Sequence, residues 1–208
     1  RRLAMQLTYT TPKSKQSLGS IIREYEENLA RGVAPYPQPQ YLSGGSREEI
    51  QCLLYRLLKM GKHKLEMSLR EVIDPIGHTN VVHDFSLSFH LAAAISALGC
   101  SVPLTPIEEQ NLIDGYIAQL VTSGHWQWAV YVSLCLLESS TANDAAFKKQ
   151  RAKSLVTRNY GEDVYDAEGR RSFLESIGVP PEWFEEALAL RCSANGDAYG
   201  YLNHMVKV

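Results

Sequence analysis

The stretch TSGHWQWAVYVSLCLL, residues Thr122 to Leu137, places two tryptophans in an apolar helical run directly after a Ser-Gly break. A third tryptophan lies in VPPEWFEEALAL, Val179 to Leu190, where Pro180-Pro181 begins a helix at a position that needs no amide. Neither segment contains a set of residues typical of a catalytic site. The pattern therefore indicates a helical scaffold whose function depends on its surfaces.

Helical spacing of apolar residues continues through most of the chain, with almost no strand pattern. Two capping boxes mark helix starts. In a capping box, the side chain of a Ser or Thr accepts a hydrogen bond from the amide of a Glu three residues later, and the Glu side chain accepts one from the amide of the Ser or Thr. The two boxes are Ser46 with Glu49, ahead of a run ending at Gly61, and Thr105 with Glu108, which predicts a helix to about Val121.

Weaker start and stop signals fill the remaining gaps. Asp84 is placed to cap a helix that Gly99 ends, and Thr141 with Asp144 forms a weaker box before another. Links of about three to six residues favour antiparallel neighbours. The sequence therefore predicts an all-α fold, an irregular antiparallel helical stack (α-solenoid) of roughly nine or ten helices.

One segment interrupts this pattern near the N-terminus. Residues 31–46, RGVAPYPQPQYLSGGS, hold three prolines and three glycines and cannot continue either neighbouring helix. We expect a long linker or mobile loop here, which gives an N-terminal helix with its linker over 1–45 and a helical module over 46–208. Residues 161–169, GEDVYDAEG, predict a second loop with local negative charge.

Composition excludes several classes of protein. The chain has 208 residues and 45% hydrophobic residues, enough for a sizeable core. With 21 Lys and Arg against 23 Asp and Glu, it lacks the basic field that direct nucleic-acid binding needs. Apolar runs fall short of the roughly 20 residues of a membrane span. The chain opens with Arg1 and shows no signal-peptide pattern, so we expect a fragment of a longer polypeptide.

Four well-separated cysteines indicate the compartment. No Cys-x-x-Cys pair occurs, and two of the four lie inside apolar helical runs, as reduced core cysteines do. They are Cys52, Cys100, Cys135 and Cys192. We therefore expect a reducing compartment.

No residue pattern points to catalysis, a metal or a cofactor. His83, Asp84, Ser86 and His90 resemble a Ser-His-Asp set in composition, but no nucleophile elbow or oxyanion loop accompanies them. The six histidines form no zinc motif, and no phosphate-binding glycine loop is present. The acidic residues of 161–169 lack the ligand spacing of a calcium loop. We expect no enzyme activity, no metal and no cofactor.

Aromatic residues are the candidates for a partner surface. Core packing is the first explanation for the tryptophans, although helical spacing puts Trp126 and Trp128 on different sides of one helix. The last helix of a stack has one flank that no successor covers, and aromatics and Met are enriched at interface centres. The candidate partner-surface residues are therefore Tyr199, Tyr201, Met205, Trp126 and Trp183.

Three segments in order carry a family resemblance. HDFSLSFHLAAAISALG, SGHWQWAVYVSLCLL and GVPPEWFEEALALRC together resemble the C-terminal helical part of the ancestral coatomer element nucleoporins that a self-cleaving precursor releases. The resemblance covers residues 82–208 in matching order and spacing, and is looser over 1–80. It implies a nuclear pore scaffold at the nuclear envelope, in the Y-shaped outer-ring complex, folded as a U-turned stack of crown, trunk and tail modules.

The resemblance also implies which module and which partners are concerned. The chain looks like the tail, which in this family meets two short-arm nucleoporins, a propeller-plus-helix protein and a second ancestral coatomer element protein. The strand segment that completes a partner's propeller has no counterpart here, so we do not expect that propeller to bind. Two alternatives remain, a vesicle-coat or tethering scaffold of the same helical class and a helical-repeat peptide-binding adaptor. The adaptor would need a repeat of roughly 34 to 45 residues, which the sequence lacks.

Overall fold

The structure is a computed structural model that describes residues 18–42, 50–62, 68–99, 104–135, 142–161 and 167–208. Within these ranges there are ten α-helices and no strand, which confirms the predicted all-α class and helix number. The helices are α1 Leu18–Ala30, α2 Leu53–Lys62, α3 Leu69–Ile73, α4 Ser86–Ala97, α5 Pro106–Thr122, α6 Trp126–Cys135, α7 Ala142–Asn159, α8 Ala167–Ser176, α9 Pro181–Ala194 and α10 Ala198–Met205, with short 3-10 helices at Gln40–Leu42 and Pro75–Gly77.

The chain forms two compact units, unit 1 over residues 1–112 and unit 2 over residues 113–208. The boundary falls inside α5. The division that we predict at 45/46 lies among residues 43–49, outside the described part of the chain, and stays a prediction.

Unit 1 is built from helices that follow one another in sequence, with α1 on α2, α2 on α3, and α3 on α4. The rings of Tyr25 and Tyr55 meet edge to face across the first pair, with centroids 5.7 Å apart. The buried apolar side chains of this unit are Ile21, Ile22, Tyr25, Tyr55, Leu69, Val72, Ile73, Phe89, Ala92, Ile95 and Leu112.

The proline-rich segment packs against these helices over residues 31–42. The Tyr25 hydroxyl donates to the Pro35 carbonyl at 2.7 Å, and the Cys52 amide donates to the Pro37 carbonyl at 2.7 Å. The Tyr41 hydroxyl donates to the Ile76 carbonyl. As predicted, residues 31–42 continue neither neighbouring α-helix, although they include the short 3-10 helix Gln40–Leu42. Of the two forms that we predict, a long linker or a mobile loop, these bonds favour an ordered linker over residues 31–42.

Burial of Tyr55 leads to a prediction about high pH. Burial, and next the Glu26 carboxylate, raise the pKa of the Tyr55 hydroxyl to about 12. The pKa of a tyrosine in the unfolded chain is near 10, so the folded state holds the Tyr55 proton more tightly than the unfolded state does. The stability that this proton contributes is complete below about pH 10 and is lost as the pH rises toward 12. We expect Tyr55→Phe to lose less stability than the wild type between about pH 9 and pH 12, measured by urea unfolding. Equal losses in the two proteins would contradict the assignment.

The capping signals at two helix starts are confirmed. The Thr105 amide donates to Glu108 Oε2 at 3.0 Å, and the Glu108 amide donates to Thr105 Oγ1 at 3.3 Å. The amide and hydroxyl of Thr105 hold the pKa of the Glu108 carboxyl below its usual value. At α9, Pro180 occupies the N-cap and Pro181 the first helical position.

Other predicted starts differ from the structure or fall outside it. Asp84 accepts from the Ser86 amide at 3.3 Å and the Ser86 hydroxyl at 2.7 Å, and α4 begins only at Ser86. The prediction of a loop to residue 169 is wrong at its end, because α8 begins at Ala167. Residues 46, 49, 141 and 162–166 lie outside the described ranges.

Tight glycine turns end several helices. After α5, the Gly124 amide donates to the Val121 carbonyl at 3.0 Å and the His125 amide donates to the Leu120 carbonyl at 2.8 Å. Gly124 has φ +78°, a left-handed conformation that favours glycine. This pair of bonds is the Schellman motif, and it recurs after α1, α8 and α9. The Ser-Gly break seen in the sequence is therefore a true helix end.

Unit 2 holds its core between α6, α7, α8 and α9. α7 contacts both α6 and α9, and α6 also contacts α8. The core consists of Trp126, Val130, Ala152, Val156, Tyr160, Leu174, Val179, Trp183, Phe184 and Ala187. α10 packs on α9 at the end of the unit.

Candidate functional site

Two of the five candidate surface residues lie in the core of unit 2. Trp126 is 5% exposed and Trp183 is 7% exposed. Both belong to the buried cluster around Phe184. Their burial agrees with core packing as the first explanation for these side chains, and it leaves the outer surface to other residues.

Trp128 lies on the other side of α6, as the helical spacing predicts. Its ring is about half exposed and lies 4.8 Å from the ring of Phe173 on α8, measured between centroids. Tyr131 meets Trp128 edge to face at 6.0 Å. The spacing of Trp128 and Tyr131 signals their pairing, but no local pattern in the sequence points to Phe173.

Among the described residues of unit 2, the two most exposed large apolar side chains, Tyr199 and Val206, lie on and next to α10. Tyr199 is 83% exposed, Leu202 is 61% exposed and Val206 is 87% exposed. Residues at i, i+3 and i+7 share one face of a helix. Tyr199 and Leu202 of α10, with Val206 at its C-cap, where the backbone is still helical, therefore form a row that we call the α10 stripe. Met205 is also exposed, whereas Tyr201 is half-buried on the inner side. The sequence prediction named Tyr199 and Met205 but missed Leu202 and Val206, which the helical spacing was able to reveal.

Polar contacts join α10 to α9. Nδ1 of His204 lies 2.8 Å from Glu185 Oε2, and Nζ of Lys207 lies 3.7 Å from the same oxygen. From α8, the Arg171 guanidinium lies 3.7 Å from Glu185 Oε1. The hydrogen bond from His204, followed by the charge of Lys207, holds the pKa of the Glu185 carboxyl below its usual value. The stripe therefore projects from a helix whose inner side rests on a charged cluster.

Two local hydrogen-bond contacts join Asp84, Ser86 and His90 at the start of α4. Ser86 donates to Asp84, and His90 Nδ1 lies 2.7 Å from the Ser86 carbonyl oxygen. These contacts span two and four residues and do not assemble a nucleophile with a base and its orienting acid. Among the described residues, no group of three or more His, Cys, Asp or Glu side chains can hold a metal ion. No described helix is both long and apolar enough to span a membrane.

These features define a class of protein. Packed helices with short links, and an exposed apolar row along α10, are typical of helical scaffolds that act through protein contacts. The family model of nuclear protein 96, Nup96, matches residues 1–191. The chain therefore belongs to the Nup96 family.

Relatives in three kingdoms are similar along nearly the whole chain. The chain is 28% identical to the Drosophila melanogaster nuclear pore complex protein Nup98-Nup96, over 99% of the chain and 10% of that protein. It is 26% identical to Arabidopsis thaliana nuclear pore complex protein NUP96, over 92% of the chain and 18% of the relative. It is 25% identical to Schizosaccharomyces pombe nucleoporin nup189, over 95% of the chain and 11% of the relative. The chain thus spans less than a fifth of the length of these relatives.

The family membership confirms the resemblance that the three sequence segments carry. Nup96 proteins are nucleoporins, structural components of the nuclear pore complex, which lies in the nuclear envelope. The predicted localisation at the nuclear pore is confirmed at this level.

Proposed function

We propose that this chain is a scaffold segment that joins arms of the Y-shaped outer-ring complex of the nuclear pore through helix-mediated protein contacts. The observation that carries the proposal is the α10 stripe, in which Tyr199 and Leu202 of α10 and Val206 at its C-cap have most of their surface exposed. Rows of exposed apolar side chains on soluble helices commonly mark protein contacts.

The chemistry of the stripe suits a helix-to-helix contact. A partner helix can lay its own apolar face along such a row, with anchors spaced at i, i+3 and i+7. Tyrosine is enriched among the residues that dominate interface energies, since it adds both a large apolar area and a hydroxyl. A stable contact of this kind buries about 1,200 to 2,000 Å² in total, so the stripe would be the centre of a larger surface.

The partners we propose are two short-arm nucleoporins of the same complex. One is a propeller-plus-helix protein that offers its C-terminal helices, and the other is a second ancestral coatomer element protein. The family resemblance of residues 82–208 motivates both choices. We do not expect the propeller that binds an added strand in this family to bind this chain, and no cofactor takes part.

The proposal is tested by size-exclusion chromatography with light scattering on the full chain, mixed with the C-terminal helical regions of the two partners. We expect a one-to-one-to-one complex. Replacing Leu202 with glutamate places a charge in the apolar centre, and we expect it to weaken binding by about a hundredfold or more. Ile107→Glu is the matched control, because Ile107 is 74% exposed, somewhat more than Leu202, but belongs to unit 1.

Two results would contradict the proposal. Separate elution of all three proteins at micromolar concentration would exclude these partners, and would favour a coat or tethering scaffold with a different partner set. Equal losses of binding in Leu202→Glu and Ile107→Glu would show that the α10 stripe is not the contact surface. Circular dichroism of both variants establishes that each retains its helices.

A further inference from the structure

α10 is held to the rest of unit 2 in an unusual way. No residue of the helix is buried, although it packs along α9. Its inner side consists of Gly200, Tyr201 and His204, all only partly covered. At Gly200 an added Cβ would lie 2.8 Å from Cys192 Sγ, so the Cys192 side chain of α9 lies against the Gly200 backbone. A helix with so little buried apolar surface gains little docking energy from the hydrophobic effect.

Glu185 provides polar contacts that hold α10 on α9 where apolar burial is small. It lies on α9, its side chain is only 14% exposed, and it bonds to His204 while Lys207 lies within ion-pair distance. The other charged groups around it are Arg171 on α8 and, bound to Arg171 at 2.8 Å, Glu175. One carboxylate therefore connects the body of the unit to His204 in the last turn of α10 and to Lys207 just after the helix.

We propose that Glu185 is a latch that decides whether α10 is docked on α9 or released as a separate arm. With the carboxylate charged, His204 and Lys207 are drawn onto α9 and the helix is fixed. With the charge removed, the partly buried face of α10 lacks enough apolar contact to stay docked, while the short Asn195–Asp197 turn keeps it attached. Glu185 is thus a positioning residue for the α10 stripe, whichever partner covers that stripe.

The neighbouring carboxylate on the same helix provides a control. Glu186 binds Lys153 on α7 at 2.6 Å and is about as covered as its partner. Neutralising Glu186 removes an ion pair from the same helix without touching α10. A general loss of stability and a specific release of α10 can therefore be told apart.

The experiment is hydrogen exchange by mass spectrometry on the full chain without partners, comparing wild type, Glu185→Gln, His204→Ala and Glu186→Gln. Hydrogen bonds to charged groups are worth enough to change local opening by about tenfold or more. We expect amides of α10 to exchange at least about tenfold faster in Glu185→Gln and His204→Ala. In both variants we expect α7 and α9 to exchange at the wild-type rate, and in Glu186→Gln we expect α10 to do so.

Three outcomes would overturn the latch. The first is unchanged exchange of α10 in Glu185→Gln. The second is equal acceleration of α10 in Glu185→Gln and Glu186→Gln. The third is a uniform rise over all helices of unit 2, which would make Glu185 a general stabilising residue. None of these readouts depends on the proposed partners, so failure of the latch and failure of the scaffold proposal are separate results.

Discussion

Replacing Phe184 with alanine is expected to lower the free energy of unfolding of unit 2 by about 3–5 kcal/mol. The Phe184 side chain is fully buried, its ring lies 4.8 Å from that of Tyr160, and the Arg171 guanidinium lies 5.1 Å from its centroid. Removing the ring leaves a cavity among residues contributed by several helices, which can close only in part. The loss combines apolar transfer energy with lost packing contacts.

Urea unfolding followed by tryptophan fluorescence measures this effect in unit 2, because all three tryptophans of the chain, at 126, 128 and 183, lie there. Phe147→Ala is the control, since Phe147 is exposed on α7 and its loss should change the unfolding free energy by about 0.5 kcal/mol or less. A Phe184→Ala transition within about 1 kcal/mol of wild type would contradict the assignment of Phe184 to the core.

Replacing Ile22 with alanine is expected to destabilise unit 1 by about 2–5 kcal/mol. Ile22 is fully buried on α1, although the sequence division at 45/46 sets α1 apart from the helices that follow. If α1 is part of the unit 1 core, hydrogen exchange in α2 and α3 should rise together with exchange in α1. Val33→Ala, at an exposed position just after α1, should leave all three helices unchanged. Faster exchange confined to α1 would show that α1 contributes little to the core.

The elements that sequence analysis predicted best are those with a local chemical cause. The Thr105 and Glu108 pair and the Pro180-Pro181 step act within one helical turn, so their effect is readable from spacing alone. The loop predicted to residue 169 failed for an equally local reason. Glu168 reads as part of an acidic loop, but it stands in the first turn of α8, where the positive end of the helix dipole favours it.

Contacts between distant segments were beyond prediction from the sequence. Helical spacing separates Trp126 from Trp128, yet which of them is buried depends on α7 and α9, and spacing carries no information on those neighbours. The bond between Glu185 and His204 joins residues 19 positions apart on different helices. The two residues meet only because of the angle at which α10 packs on α9, and a single sequence does not reveal that angle. The grouping of Tyr199, Leu202 and Val206 on one face, by contrast, follows from the helical period of this segment.

The fixed course of residues 31–42 depends in part on single atoms. The phenolic oxygens of Tyr25 and Tyr41 bind carbonyl groups of residues 10 and 35 positions away. Phenylalanine at either position would keep the ring and remove only that oxygen. Proteases cut most readily where the backbone can adapt to their active sites, so the two hydroxyls should also govern how fast this proline-rich stretch is digested.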